Sequence, residues 1–242
     1  RTQVFIGHWE VTDLPHEGGL TPFSVDITDF VVPGENELTV CVWDPTLGYV
    51  ASAGKQTFQP NGCFYTRSSG IWQTVWMETV PATHLADYNV VPDLAGSTVA
   101  FTFTTAGRRA DRVDVEIFAD GKSVARGSGL PDEPFAVKLP SPVKAWTPET
   151  PHLYTFTATY GKDRIEGYFA MRSFEARKDD KGVLRFFLNG NPRFVIGVLD
   201  QGWWPDGLLT PPSEEAMAHD ILTLKKCGFD MLRKHLKVEP LR

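Results

Sequence analysis

Carboxylate, amide and indole side chains are concentrated at the end of one apolar segment, in the stretch LDQGWWPDG at 199–207. The candidate ligand-binding side chains there are Asp200, Gln201, Trp203 and Trp204. An indole ring can cover the apolar C–H face of a pyranose, and a carboxylate or an amide can bond its hydroxyl groups. The excess of indoles is thus compatible with a sugar ligand, although packing in a core is the favoured interpretation of any single tryptophan. Two alternatives stay open: the two indoles can serve as packing residues, and Asp206-Gly207 can be a simple turn.

A second group of candidates lies on polar loops. Lys55 and Gln56 belong to AGKQTFQPNG, a long polar stretch, and Arg67 belongs to YTRSSGIW. Loops contribute ligand contacts more often than cores do. A plain solvated loop explains Lys55 and Gln56 equally well, and an internal ion pair or backbone contact is the favoured interpretation of Arg67.

Composition narrows the possible partners. The net charge of -6 argues against nucleic acid or an anionic membrane as the partner. No apolar run is long enough to span a bilayer. Three cysteines, Cys41, Cys63 and Cys227, have no metal-ligand spacing and favour a reducing, cytoplasm-like compartment over a disulfide scaffold. No metal cluster, phosphate loop or Ser-His-Asp spacing is present, so no cofactor is expected.

The first two thirds of the chain have the pattern of β-sandwiches. In residues 1–82, apolar and other residues alternate over Leu38–Val42, and Gly70–Met77 is predicted as a further strand. Residues 83–178 contain about seven short strands separated by turns, which predicts an immunoglobulin-like sandwich.

From residue 179 the pattern changes to strand, helix, strand. Asn189-Gly190 predicts a hairpin turn, and Phe194–Val198 is predicted as a buried strand. Ser213 is a candidate N-cap of a helix that ends near Gly228, and Phe229–Lys234 predicts the next strand. This order is typical of the beginning of a (β/α)₈ barrel, which requires about 250 residues when complete. Residues 179–242 are thus interpreted as an incomplete barrel, predicted to pack on its own sandwich or on a second copy.

Several motifs, in this order, resemble glycoside hydrolase family 2, the family of β-galactosidases, β-glucuronidases and β-mannosidases. They are HEGGLTPFSVDITD (16–29), GENELTVCVWDP (34–45), YTRSSGIWQTVWME (65–78), WTPETPHLYTFTATY (146–160), FFLNGNPRFVIGV (186–198) and GFDMLRKH (228–235). The resemblance implies a partial sugar-binding jelly roll at 1–82, an immunoglobulin-like domain at 83–178 and the first barrel strands at 179–242.

The resemblance also implies where a substrate would bind. In such a barrel the carboxyl ends of the strands form the active site, so Asp200, Gln201, Trp203 and Trp204 would line a sugar pocket. Arg233 matches an arginine that the family places after strand 2, and His235 lies one residue before the corresponding histidine. A packed core position is an equally open interpretation of His235.

The catalytic residues that the family implies are not recognised in this chain. A retaining glycosidase requires two carboxyl groups, which in this family are glutamates on later strands, one of them following an asparagine. Asn-Glu occurs once, at Asn36-Glu37 in a predicted turn. The expectation is therefore a β-galactosidase-like parent enzyme, with a carbohydrate as partner and a possible homo-oligomer, whose catalytic glutamates lie beyond residue 242. The alternative is a non-catalytic carbohydrate-binding or adhesion module.

Overall fold

Seventeen strands and one helix occur in the described residues, 1–46, 54–107 and 112–239, of this computed structural model. The predicted mainly β fold is therefore confirmed. Contacts divide the chain into two compact units, of which the first comprises Arg1–Trp76 with Ile196–Arg242 and the second comprises Met77–Val195. The finer division into three domains stays a prediction.

The first unit contains three small sheets. Its elements are β1 (Thr2–Ile6), β2 (Trp9–Glu10), β3 (Leu38–Val42), β4 (Gln56–Thr57), β5 (Tyr65–Thr66), β16 (Gly197–Asp200), α1 (Glu214–Lys226) and β17 (Met231–Lys234). The antiparallel order β2-β1-β3 forms the largest sheet, and β4 pairs with β5 in parallel. Val4, Ile6 and Val11 form the buried core beside the first of these sheets.

The β16–α1–β17 segment forms a parallel βαβ motif. β16 pairs in parallel with β17, and the Ser213 hydroxyl accepts a hydrogen bond from the Ala216 N–H at 3.2 Å, as expected of an N-cap. The predicted helix is thus confirmed. The preceding strand was predicted three residues too early, because the parallel ladder begins only where Asp230 bonds the N–H and the carbonyl of Ile196. Phe194 is accordingly 85% exposed.

The prediction of a strand at Gly70–Met77 is wrong. No ladder forms along this segment; its polar groups instead bond to loops of the same unit. Trp72 Nε1 donates to the Gly19 carbonyl at 2.7 Å, and the Trp72 carbonyl accepts from Thr210 Oγ1 at 2.9 Å. Gln73 Nε2 donates to the Val238 carbonyl at 3.0 Å. Two of these contacts, those of Thr210 and Val238, join the βαβ region to the N-terminal part of the same unit.

The second unit contains a sandwich of seven strands, as predicted. They are β6 (His84–Asp93), β7 (Thr98–Ala106), β8 (Val113–Ala119), β9 (Lys122–Gly129), β10 (Phe135–Lys138), β11 (Tyr154–Tyr160) and β12 (Asp163–Phe169). One sheet has the order β10-β7-β6 and the other the order β12-β11-β8-β9. Because inward residues alternate along each strand, Phe101, Phe103, Ile117 and Phe156 meet in a core from which water is excluded.

A three-stranded meander follows the sandwich in the same unit. It consists of β13 (Phe174–Lys178), β14 (Leu184–Leu188) and β15 (Asn191–Arg193). The turn between β14 and β15 has positive φ angles of 51° at Asn189 and 78° at Gly190, which is the geometry the Asn-Gly pair predicted. Arg193 forms an ion pair with Glu149 at 2.8 Å, which ties the meander to the loop before β11.

Candidate polar site at the ends of β16 and β17

Asp200 and Lys234 meet where the two parallel strands end. They are register partners, so their side chains project from the same face of the two-stranded sheet. Lys234 Nζ lies 2.5 Å from Asp200 Oδ2, and the His235 N–H donates to the Asp200 carbonyl at 2.8 Å. Residues that are 34 positions apart in the chain are thereby joined through both side chain and backbone.

Two further charged residues extend this pair. Lys234 also forms an ion pair with Glu239 Oε1. Glu239 Oε2 lies 3.4 Å from Lys237 Nζ, an ion-pair contact without hydrogen-bond geometry. The Lys237 side chain is only 1% exposed. Two ammonium groups and two carboxylates therefore alternate along the network in the order Asp200, Lys234, Glu239, Lys237.

The network changes the ionisation of its members. Burial opposes the charged form of Asp200, but hydrogen bonds from Lys234 and Gly202 outweigh it, and the pKa of Asp200 lies below its ordinary value. Burial likewise opposes the charge of Lys234, yet its bonds to Asp200 and Glu239 raise its pKa. For Lys237 burial prevails, and its pKa is lowered. Asp200 is thus held as a carboxylate at neutral pH.

The loop after β16 is attached at Gly202. Its N–H donates to Asp200 Oδ1 at 2.8 Å, and its carbonyl accepts from Lys237 Nζ at 3.1 Å. The next side chain, Trp203, stacks on Tyr65 with a centroid distance of 4.5 Å and an interplanar angle of 14°. Trp203 Nε1 and the neighbouring Gln201 Oε1 are buried and have no hydrogen-bond partner among the described residues.

Arg233 lies on the opposite face of the β16–β17 pair from Asp200 and Lys234, because successive residues of a strand alternate. That face is open: Leu199 is 50% exposed and Met231 is 45% exposed. The Arg233 side chain is exposed and makes no hydrogen bond or ion pair with any residue that the structure describes. The sequence-predicted residues are therefore divided between two faces.

The remaining candidates lie near the same segment or on the N-terminal loops. Trp204 is half-buried and pairs with Leu208 across a turn, which places the exposed Asp206 at the turn itself. The Gln56 amide oxygen accepts a hydrogen bond from the backbone N–H of Ser68, and the distance between the Ser68 nitrogen and Gln56 Oε1 is 2.8 Å. Arg67 stacks on Phe58 at 4.1 Å from the ring centroid.

Lys55 is half-buried, and its carbonyl accepts from the Tyr65 N–H at 2.9 Å. Gln56, which lies in β4 and not in a loop, and Arg67 are thus both engaged by partners within the same unit.

Sequence reasoning missed the lysines and the acid that complete the polar network. Lys234 is the last residue of β17, and Lys237 and Glu239 follow it in RKHLKVE (233–239), where the three-residue spacing of the two lysines and the nearby glutamate were the available signal. Tyr65 was missed because its stacking partner is far away in the chain. Among the described residues, no group of histidine, cysteine and carboxylate side chains is arranged to hold a metal ion.

The two carboxylates of the polar network are both paired with a lysine. Asp200 and Glu239 both contact the ammonium of Lys234, so each is charge-paired. Asn36 uses its side chain to close a turn, accepting from the Val32 N–H at 2.9 Å and donating to the Val32 carbonyl at 2.8 Å. What the site does offer is an open face with a guanidinium and a rigid cluster of charged and aromatic groups. No helix in the described part of the chain is long and apolar enough to cross a membrane.

Comparison with known proteins finds one matching family profile, which covers part of the chain. Residues 83–172 match the profile of the glycosyl hydrolases family 2. The chain is 28% identical over 202 residues to a β-galactosidase of Thermoanaerobacter pseudethanolicus, an alignment that covers 76% of this chain and 26% of that protein. It is 25% identical over 224 residues to human β-glucuronidase, covering 78% of this chain and 33% of that enzyme. The chain thus spans about a quarter to a third of the length of these curated relatives.

Solved structures share the fold. The β-glucuronidase from Ruminococcus gnavus in complex with uronic isofagomine superposes with a TM-score of 0.78 at 20% identity, over 96% of this chain and 39% of that one. The same enzyme in complex with D-glucuronic acid gives a TM-score of 0.75 at 22% identity, over 96% of this chain and 41% of that one.

Proposed function

We propose that this chain belongs to family 2 of the glycosyl hydrolases and is part of an enzyme that removes a terminal β-linked sugar, with β-galactosides as the favoured substrate class. The relatives support a glycosidase and include both β-galactosidases and β-glucuronidases. One observation carries the proposal for this chain: polar and aromatic residues gather at the carboxyl ends of the parallel strands β16 and β17. In a (β/α)₈ barrel that end is where substrates bind.

The proposed mechanism is retention of configuration through two glutamates that these 242 residues do not supply. A retaining glycosidase holds its two carboxyl groups about 5 Å apart, one as nucleophile and one as acid/base. The acid/base must be protonated in one step, whereas the pKa of Asp200 is lowered. The only Asn-Glu dipeptide, Asn36-Glu37, is exposed beside a turn.

The residues proposed to contact the sugar are divided according to their surroundings. Arg233 stands on the open face with its guanidinium unengaged by described residues, so it is proposed to bond a substrate hydroxyl or carboxylate directly. Asp200, Gln201, Trp203, Trp204 and His235 are proposed as the remaining binding residues on the rim, with Lys55, Gln56 and Arg67 as more distant candidates.

Hydrolysis of chromogenic β-galactoside, β-glucuronide and β-mannoside tests the proposal. We expect the protein that contains this chain together with a complete barrel to cleave one of the three, and the 242-residue chain alone to cleave none. In the active protein, Arg233→Ala should raise KM, whereas Asp206→Ala, a change at an exposed turn residue nearby, should leave it unchanged. Cleavage by the 242-residue chain itself would refute the account of the missing glutamates.

The alternative is a non-catalytic carbohydrate-binding or adhesion module. The βαβ motif disfavours it, since a module made of sandwiches has no need of parallel strands joined by a helix. Sugar binding by the longer protein with no hydrolysis of any of the three glycosides would favour this alternative.

A further inference from the structure

Lys237 is a charged residue in a position that an apolar side chain could fill at lower cost. Its side chain is 1% exposed, and burying an ammonium is unfavourable unless the group is paired and hydrogen-bonded. The Trp72 ring lies beside this side chain, and Lys237 Nζ is 5.8 Å from the ring centroid. We therefore expect the Lys237 ammonium group to make a specific interaction that an apolar side chain could not make.

That ammonium is bonded to the backbone of Gly202. Nζ donates to the Gly202 carbonyl at 3.1 Å, while the Gly202 N–H is held by Asp200 at 2.8 Å. Both polar backbone groups of one loop residue are thus fixed by charged side chains, which make stronger hydrogen bonds than neutral partners do.

The close approach of Lys237 also explains the glycine. Gly202 has φ of +67°, and a Cβ built on it would lie 2.5 Å from Lys237 Cδ. Any other residue at 202 would be strained and would displace the lysine side chain. The lysine and the glycine therefore form one contact that depends on both.

The residue after this contact presents an aromatic surface. Trp203 stacks on Tyr65 of β5 at 4.5 Å, so its ring is held between the loop and the N-terminal sandwich segment. The position of the ring depends on the backbone at Gly202, because the fixed carbonyl belongs to the peptide bond that joins Gly202 to Trp203.

We propose that Lys237 is a positioning residue for the aromatic pair Trp203–Tyr65, acting through the carbonyl of Gly202. The Lys237 ammonium, which Glu239 also pairs, fixes the loop in the one conformation in which the indole stacks on the tyrosine. The consequence for substrate rests on the proposed function: the fixed Trp203 indole is part of the rim that a β-linked sugar contacts.

The test compares three substitutions in the whole protein that contains this chain. Lys237→Met keeps the length of the side chain and removes the ammonium, and Gly202→Ala pushes the lysine away from the other side. Lys226→Met, at the exposed end of α1, is the matched control. Each variant is made twice, once with Trp203 and once with Trp203→Phe. Subtracting the fluorescence of the second protein from that of the first leaves the signal of Trp203, whose spectrum and quenching by acrylamide are then measured. Far-ultraviolet circular dichroism checks that each variant is folded.

We expect Lys237→Met and Gly202→Ala each to increase quenching of the Trp203 signal, and Lys226→Met to leave it unchanged. With the β-glycoside that the protein cleaves, Lys237→Met should raise KM about tenfold, the loss expected for a hydrogen bond to a charged group, with kcat nearly unchanged. If Lys237→Met does not fold, the quenching of Trp203 fluorescence in Gly202→Ala tests whether the contact between Lys237 and Gly202 positions Trp203.

A Trp203 signal in both Lys237→Met and Gly202→Ala that matches the control would overturn the positioning role. Movement of that signal with an unchanged KM would overturn its link to substrate. Failure of the proposed function looks different, because the unmodified protein would then cleave none of the glycosides, while the fluorescence comparison would still decide whether Lys237 positions Trp203.

Discussion

Replacing Asp200 by asparagine should destabilise the first unit by a measurable amount. Asparagine keeps an oxygen to accept the Gly202 N–H, but it places either a neutral oxygen or an amide group against the Lys234 ammonium. The two side chains are 31% and 30% exposed, so the pair is neither fully solvated nor fully buried.

The magnitude follows from that intermediate exposure. Exposed ion pairs contribute about 0–1 kcal/mol, and removing one partner of a buried pair costs about 3–5 kcal/mol. Lys234 retains Glu239 as a second counter-ion, which limits the penalty. We therefore expect a loss of about 1.5–2 kcal/mol in the free energy of unfolding, near the lower end for a hydrogen bond to a charged group.

Urea unfolding at pH 7, followed by near-ultraviolet circular dichroism, measures this loss. Asp206→Asn, at the exposed turn of the same loop, is the control and should change stability by less than about 0.5 kcal/mol. In a double-mutant cycle with Lys234→Met, the effect of Asp200→Asn should become much smaller. A loss equal to that of the control, or an undiminished loss in the Lys234→Met background, would refute the inferred pairing.

The pH dependence has a definite sign. The pKa of Asp200 is lower in the folded protein than in the unfolded chain, so its contribution is complete above the unfolded value of about 3.9 and is lost as pH falls through the folded value. The pKa of Lys234 is raised, so its contribution is complete below the unfolded value of about 10.4 and is lost as pH rises through the folded value. The difference between wild type and Asp200→Asn should therefore be largest between these limits and should shrink in acid.

Two further predictions concern the second unit. Phe156→Ala, in the centre of the sandwich core, should cost about 3–5 kcal/mol of stability. Tyr168→Ala, at a position that is 69% exposed, should cost less than about 1 kcal/mol. The midpoints of urea unfolding compare the two variants, and equal losses would contradict the assigned core. Asp163→Ala should cost about 1–3 kcal/mol, because it leaves the buried Leu85 N–H, now bonded to Asp163 Oδ2 at 2.8 Å, without its acceptor. Thermal unfolding measures this second change, and a midpoint as high as that of wild type would disprove the need for the acceptor.

Local features of the chain were predictable because they depend on neighbouring residues. Alternating apolar residues indicated the strands of the sandwich, Asn189-Gly190 indicated the turn between β14 and β15 of the meander, and Ser213 indicated the start of the helix. Strand periodicity and capping act over a few residues, so the sequence alone contains the information. The prediction of Gly70–Met77 as a strand failed for the complementary reason: alternation shows a propensity, but a ladder also requires a partner strand.

The composition of the candidate site was predictable only in part. The sequence placed Asp200, Gln201, Trp203 and Trp204 after one strand and Arg233 and His235 at the end of another. Which of them meet depended on register: Asp200 pairs with Lys234, and Arg233 lies on the other face. A shift of one residue would have exchanged the two faces, and no local signal sets that register.

What the sequence by itself determined is the mainly β character of the chain and the order of the sandwich and βαβ segments. Tertiary structure decided the contacts between distant residues. Trp203 stacks on Tyr65, and Thr210 bonds Trp72 across 138 positions of the chain. The buried ammonium of Lys237, which looks like a surface charge in the sequence, became a structural contact through burial and through the close approach of Gly202. Such contacts depend on how separate elements pack, and packing is a property of the folded chain as a whole.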